Sequence, residues 1–399
     1  MKTIQIMMIS AVSVLFMQSV FAQDWVWTGA VDNNFSTAGN WLVDGSVPAE
    51  GPSDTSRLNF VFDGAAGGTV NLDRAQVVAS ITFGSNAGEY VFTGSNDFLA
   101  RPSQHNNDNL PITINQNSSS TQTFNNRRIG RINNSNFNFT TSGATPGNII
   151  INAQVETTNG NDGVGYSVNG PNRVSIGNTQ LGNRNINFFS GDGTLEITGS
   201  ASNRIQTINS SINTLLVNNS SGNALGTRSL LVENNSRLAG GGTISGGTVT
   251  IQNGGILTPG QHGNNPVGSS IGTLTTSNLT LEDGFVYNWE FTDSTSDRFI
   301  VSDVLDVSAA NDLSVVNLIG DMADFDPLSN NVLFTFDSIV GASDGQVLSW
   351  QINHNDVDSG YFAVVSGNDV LVAIPEPGTL ALIGIAGIAG LLGLRRRRS

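Results

Sequence analysis

Between Gly68 and Leu281 the sequence repeats one pattern. Apolar or alternating runs of three to six residues are each closed by a turn of Gly, Asn or Ser. Thr69–Leu72, Val78–Phe83, Tyr90–Phe92, Ile112–Ile114, Asn136–Phe139, Asn148–Asn152 and Asn185–Phe188 are examples. Runs this short cannot hold a helix, which needs about 10–14 residues to persist in a globular protein. Thr, Val, Ile and Phe suit a pleated, half-buried surface, whereas Gly, Asn and Ser supply turns. With 46 glycines and 12% charged residues, the chain is expected to be all-β, and no amphipathic helix is evident between residues 23 and 374.

The spacing tightens later in this stretch. Thr194–Thr198, Thr214–Val217, Ser229–Val232 and Thr248–Ile251 follow one another, with intervals of 20 residues from Leu195 to Leu215, 15 from Leu216 to Leu231 and 19 from Val232 to Ile251. Repeats of this length are the mark of stacked architectures, in which one repeat cannot bury its apolar residues alone. The spacing predicts a right-handed parallel β-helix, with Leu, Ile, Val and Phe in an inner column and Thr, Asn or Ser at alternate, outward positions. Antiparallel sandwiches are also built of short strands and turns, and are the competing architecture. There is no cysteine, so a chain of this size must hold itself together by a large core or by repetition rather than by disulfides.

The ends differ from the middle. Residues 1–22 read as a signal peptide: Lys2 is a basic start, Ile6–Met17 is mostly apolar, and Val20-Phe21-Ala22 offers a cleavage site before Gln23. Residues 23–67 form a segment with three of the five tryptophans, Trp25, Trp27 and Trp41. Clustered tryptophans either cap the open end of a stack or bind sugars by ring stacking, and the cap is the expected role. Residues 68–284 are the repeats. In residues 285–373 strands lengthen, aromatics return and glycine thins, which suits either a small sandwich or a cap made of the last rungs.

Residues 374–399 have three parts. Pro375-Glu376-Pro377 is rigid punctuation. Thr379–Leu394 is a 16-residue run without charge, and Arg395, Arg396, Arg397 and Arg398 form a basic block. As a helix the run spans about 24 Å against a hydrocarbon core of about 30 Å, short for a transmembrane helix but within reach of snorkelling arginines. The arginines favour the cytoplasmic side.

This tail resembles the PEP-CTERM sorting signal of Gram-negative bacteria. The resemblance implies an exosortase-type sorting protease as partner, acting near Pro375-Glu376-Pro377. It also implies transient residence in the inner membrane, then the cell surface or extracellular matrix, with exopolysaccharide as a further associate. A second resemblance lies in residues 231–281. Leu238, Gly240, Gly242, Thr243 and Ile244, then Gly254, Gly255, Leu257, Pro259 and Gly260, are similar to the autotransporter-associated β-strand repeat. The W-x-G, F-S-x-x-G-N-W and Pro pattern from Trp25 to Pro48 resembles the N-terminal segment of secreted proteins that carry such repeats and tails.

Charge narrows the function. With Lys2, the four terminal arginines and Glu376 set aside, the chain keeps 12 basic and 31 acidic residues, a net charge of about −19, and no lysine. Phosphate binding needs concentrated cations, so a nucleic-acid partner is not expected. Parallel β-helices also carry polysaccharide lyases and hydrolases. Here Arg127-Arg128-Ile129-Gly130-Arg131 is the one basic cluster, read as a solvated turn or as a grip for an acidic sugar. Asp192, Glu196, Asp283 and Asp293 are carboxylates with no evident pairing. His105, His262 and His354 are far apart, and the Asp-rich turns at Asp162, Asp192 and Asp356–Asp358 lack a full calcium register. No catalytic residue, metal site or cofactor is expected. The chain reads as an exported, non-enzymatic surface or matrix protein. A polysaccharide-binding module, using Trp25, Trp27 and Trp41, or a polysaccharide-degrading enzyme, is the alternative.

Overall fold

The computed structural model describes residues 23–374 apart from 54–55, 100–110, 132–136, 143–145, 158–163, 172, 178–185, 201–206, 261–270, 326–330, 356 and 359. The expected signal peptide and the expected transmembrane helix 379–394 lie outside the described residues. Within them the protein is all-β, with a single three-residue 3-10 turn, Ala38–Asn40. No helix among the described residues is long and apolar enough to cross a membrane.

Most strand pairing is parallel, so antiparallel sandwiches do not describe the chain. One long ladder runs through Asp24–Trp27, Leu58–Phe62, Gln76–Phe83, Ile112–Gln116, Phe137–Thr141, Val164–Asn169, Ile186–Ile197 and Thr207–Val217. It continues through Ser229–Val232, Thr243–Ile251, Thr273–Leu281, Arg298–Asp306 and Val332–Val340. A second ladder takes the strands between, from Gly68–Asn71, Tyr90–Thr93, Gln122–Phe124, Ile149–Ile151 and Arg173–Ile176. It ends with Arg237–Gly240, Ile256–Pro259, Val286–Glu290, Val315–Ile319 and Gln351–His354. A short third ladder joins the start of Gln76–Phe83 to Asp97–Leu99, Arg128–Arg131 and Gln154–Thr157. Parallel neighbours need a long crossover, usually a helix; here the crossover is made of turns and a strand of another ladder.

The inward positions line up in register. In the second ladder Ile149, Val174, Leu195, Leu215, Leu238, Leu257, Tyr287, Val316 and Ile352 are successive partners. All nine are buried. Successive members are separated by between 19 residues (Leu238 to Leu257) and 36 (Val316 to Ile352). Burying each such side chain contributes about 1.5–3 kcal/mol relative to exposure. At strand ends Asn71 Nδ2 donates to Asn34 Oδ1 at 2.8 Å and Asn152 to Asn125 at 2.9 Å, and within the ladder Asn317 donates to Asn288 at 2.9 Å.

The 15-residue interval from Leu216 to Leu231 is not a repeat. Thr207–Val217 is a single 11-residue strand that serves both ladders. Its first half pairs with Ser229–Val232, Asn209 opposite Leu231, and its second half with Arg237–Gly240, Leu216 opposite Ala239. The true steps are 22 and 23 residues.

Both ends leave the parallel pattern. Trp41–Leu42 folds back antiparallel onto Asp24–Trp27. At the other end Gln351–His354, Val357–Asp358, Phe362–Ser366 and Asp369–Ala373 join antiparallel pairs. Open strand edges invite pairing with other chains, and these reversals occupy them.

Gly240 shows how close the strands come. Its φ is +117°, and a Cβ there would lie 2.0 Å from the Val217 carbonyl oxygen. Gly345, at φ +75°, meets nothing within 4 Å. Gly345→Ala is therefore expected to cost only the left-handed strain, about 1–2 kcal/mol, and Gly240→Ala at least about twice that because the backbone must also move. Denaturant unfolding of the two variants checks the order.

Candidate functional site

The last described strand carries the chain to its tail. Asp369–Ala373 alternates, with Val370 and Val372 fully buried and Asp369, Leu371 and Ala373 partly exposed. It is paired on both edges. Along one edge all five residues face Phe362–Ser366, from Ser366 opposite Asp369 to Phe362 opposite Ala373. Along the other, Val332, Phe334 and Thr335 face Leu371, Val370 and Asp369. Arg298 Nη2 donates to Thr335 Oγ1 at 2.7 Å, and that hydroxyl donates to Asp369 Oδ1 at 2.6 Å. The strand ends at Ala373, and Ile374 is half exposed. Pro375, Glu376, Pro377 and Arg395–Arg398 lie outside the described residues.

The tryptophans gather at the opposite end. Trp41 is fully buried, its centroid 4.7 Å from Phe35 and 5.2 Å from Phe60, and its Nε1 donates to the Phe35 carbonyl at 2.7 Å. Trp27 is buried 4.9 Å from Trp41, edge-on. Trp25 is half-buried, 6.1 Å from Trp41. Sugar stacking needs an open ring face, and of the three only Trp25 is exposed in part. The loop over these rings is tied by Asp32. Its Oδ1 accepts from the Asn34 N–H at 2.8 Å and Asn40 Nδ2 at 2.7 Å, and its Oδ2 from Thr37 Oγ1 at 3.1 Å. The bond from the Asn34 N–H, helped by the side chains of Asn40, Thr37 and Asn34, holds the Asp32 carboxyl below its ordinary value.

The ionisable groups that sequence spacing left scattered are brought into pairs. Arg128 lies on a strand rather than in a solvated turn, and its Nη2 is 2.5 Å from Asp97 Oδ2; the exposed Arg127 reaches the same oxygen at 3.8 Å. The parallel register sets Arg128 opposite Asp97. Glu196 is buried under Arg173, whose Nε donates to Oε2 at 2.7 Å and whose Nη2 meets Oε1; Asn218 Nδ2 donates to Oε1 at 2.8 Å. These carboxylates are occupied by cations and amides. His354 Nε2 lies 3.1 Å from the Gly320 carbonyl, while His105 and His262 lie outside the described residues. Asp192 Oδ1 accepts from the Gly170 N–H at 2.6 Å, a turn contact. Among the described residues no group of three or more His, Cys, Asp or Glu side chains could hold a metal ion.

One acidic pair had no sequence signal. Glu290 and Asp297 face each other across the tight reversal that follows Val286–Glu290, and both are buried. The Asp297 N–H donates to the Glu290 carbonyl at 2.7 Å. Asp297 Oδ2 accepts from the Glu290 N–H at 3.1 Å and its Oδ1 from the Gly272 N–H at 2.9 Å, and the Trp289 indole donates to the Asp297 carbonyl at 2.7 Å. Burial pushes Asp297 up to about 8; the two N–H donors oppose this and the charge of Glu290 adds to it. Burial raises Glu290 as well. With its oxygens turned to backbone donors and 0% exposure, Asp297 acts as an internal clasp rather than as an acid offered to a substrate.

The sign of the resulting pH dependence follows. A carboxyl raised from 3.8 to about 8 on folding binds its proton more tightly in the folded state. It favours folding fully below about pH 4, progressively less up to about pH 8, and not further above. The Asp32 contribution runs the other way, present above about pH 4 and lost below it. The melting temperature is expected to fall between pH 5 and pH 8.5, and Asp297→Asn to flatten that slope while leaving the part due to Glu290. Thermal unfolding across this range checks it.

Residues 373–398 match the family profile of the PEP-CTERM protein-sorting motif. No curated protein matches the chain. The match begins at Ala373, the last residue of the final strand, and identifies the tail as a protein-sorting motif.

Proposed function

We propose that this is an exported, non-enzymatic β-solenoid whose body serves a structural or adhesive role at the cell surface or in the extracellular matrix of a Gram-negative bacterium. The sorting motif implies recognition by an exosortase-type processing enzyme and passage through the cell envelope. In this reading the signal peptide starts export, and Thr379–Leu394 holds the chain in the inner membrane with Arg395–Arg398 in the cytoplasm. Processing near Pro375-Glu376-Pro377 then frees the body.

The observation that carries the scaffold role is an outer face that is uncharged beyond Asp24 at its start, whose Oδ1 accepts from Asn59 Nδ2 at 3.2 Å. Asn59, Ser80, Thr113, Asn138, Ser167, Ser190 and Ser211 are successive partners along the first ladder. Beside them run Val61, Thr82, Asn115, Thr140 and Asn169. Ser80 Oγ donates to Asn59 Oδ1 at 2.9 Å, and Asn115 Nδ2 to Thr82 Oγ1 at 3.0 Å. A lyase or hydrolase needs an accessible base or a pair of carboxylates. This face has neither; the acidic pair Glu290 and Asp297 is buried, and Asp97 and Glu196 are each bonded to an arginine. Exopolysaccharide is the surrounding such a polar, uncharged face suits.

We take the coil to be right-handed, the hand that parallel crossovers take. The autotransporter-like repeat is supported by Leu238 opposite Leu257 and by the Gly240 and Gly260 bridge, which place matched positions of the two half-motifs side by side. Deleting Pro375–Ser399 is expected to move the protein from the cell surface to the soluble periplasmic fraction. Fractionation that finds it still at the surface would refute the sorting role.

A further inference from the structure

The sorting motif and the fold share a residue. Ala373 is the first residue of the motif match and pairs with Phe362 in the sheet. Only Ile374 separates it from Pro375. An enzyme that reads its substrate as an extended chain does so by pairing with the backbone and seating alternate side chains in pockets. On the body side of Pro375-Glu376-Pro377 one backbone edge is committed to Phe362–Ser366 over all five residues, and the other to Val332–Val340 over Asp369–Leu371. The alternate side chains Val370 and Val372 are buried.

The reach of the tail tightens the conflict. Five residues, Ile374–Gly378, join the strand to the apolar run that starts at Thr379. Extended, they span at most about 18 Å. With that run in the inner membrane, as proposed above, the end of the body would be held close to the membrane plane, with little free chain to thread into an active site.

The strand can be withdrawn without unthreading any other described element. It is the last element of the body and follows a tight turn with Gly367 at φ +59°. Its hold on Val332–Val340 covers only the first part of that nine-residue strand, whose far end, with Asp337, Ser338 and Val340 exposed, runs on past it.

We infer that Asp369–Ala373 is a latch: it competes with the processing enzyme for the same backbone, so the enzyme recognises the chain with this strand unzipped, and the C-terminal end of the body closes only after release. This rests on the reading that an exosortase-type enzyme processes the tail.

The test follows loss of the tail by pulse–chase, with the full-length chain in a host that carries the enzyme. One variant inserts eight Gly/Ser residues between Ile374 and Pro375, outside the folded body. A second carries Val332→Cys and Leu371→Cys, partners in register on partly exposed positions. Since the chain has no cysteine of its own, oxidation pins the strand to the body. The linker variant is expected to lose its tail at least about five-fold faster than the natural chain. The oxidised pair is expected to lose it at least about ten-fold slower, with recovery on reduction. Processing of both at the natural rate would overturn the latch. A natural chain that keeps its tail throughout would refute the processing reading itself.

Discussion

No single strand of this chain can bury its own apolar residues, and the rest of the structure follows from that. Leu238 has no partner within its own strand; it is covered because Leu215 lies below it and Leu257 above. Stability is therefore collective along the ladders. This is how a chain without cysteine is held together, since repetition replaces the cross-links that small secreted domains use. Parallel register also fixes the outside: once the inward positions are aligned, the alternate positions form rows of Ser, Thr and Asn.

Stacking creates a problem at each end, where the column would be open to solvent. At the start, Trp27 and Trp41 pack together with Phe35 and Phe60, and Asp32 bonds to Asn34 and Asn40. At the finish the pairing turns antiparallel, and the strand that completes it is the one that leads into the sorting motif. The element that finishes the body thus adjoins the sorting motif. The clasp of Asp297 and Glu290 lies between these ends, where a tight reversal brings two acids together inside the protein.

Much of this is legible in the sequence because its signals are local. Short alternating runs and Gly/Asn turns give the strands; Thr194–Thr198 and Thr248–Ile251, for example, fall within Ile186–Ile197 and Thr243–Ile251 to within a residue. The proline pair and the arginine block give the tail. What local patterns do not carry is which residues meet across a step of 20 or 30. Arg128 looks like part of a solvated cluster until the register sets it opposite Asp97. Leu216 and Leu231 look like successive rungs until Thr207–Val217 proves to be one strand shared by two ladders. Glu290 and Asp297 are separated by six ordinary polar or aromatic residues, and only the reversal buries them together.

The central claim is that successive strands stack one spacing apart along a single ladder, and the absence of native cysteine allows it to be measured directly. Spin labels placed in pairs at 59 and 211, at 80 and 211, and at 113 and 211 sit on one outward row. The pairs are six, five and four strand spacings apart, so the distances should be about 29, 24 and 19 Å at about 4.8 Å per strand. A stepwise fall of about 5 Å from pair to pair is the expected result. Distances that do not shorten in that order, or a single broad distribution common to all three pairs, would contradict the ladder and everything built on it.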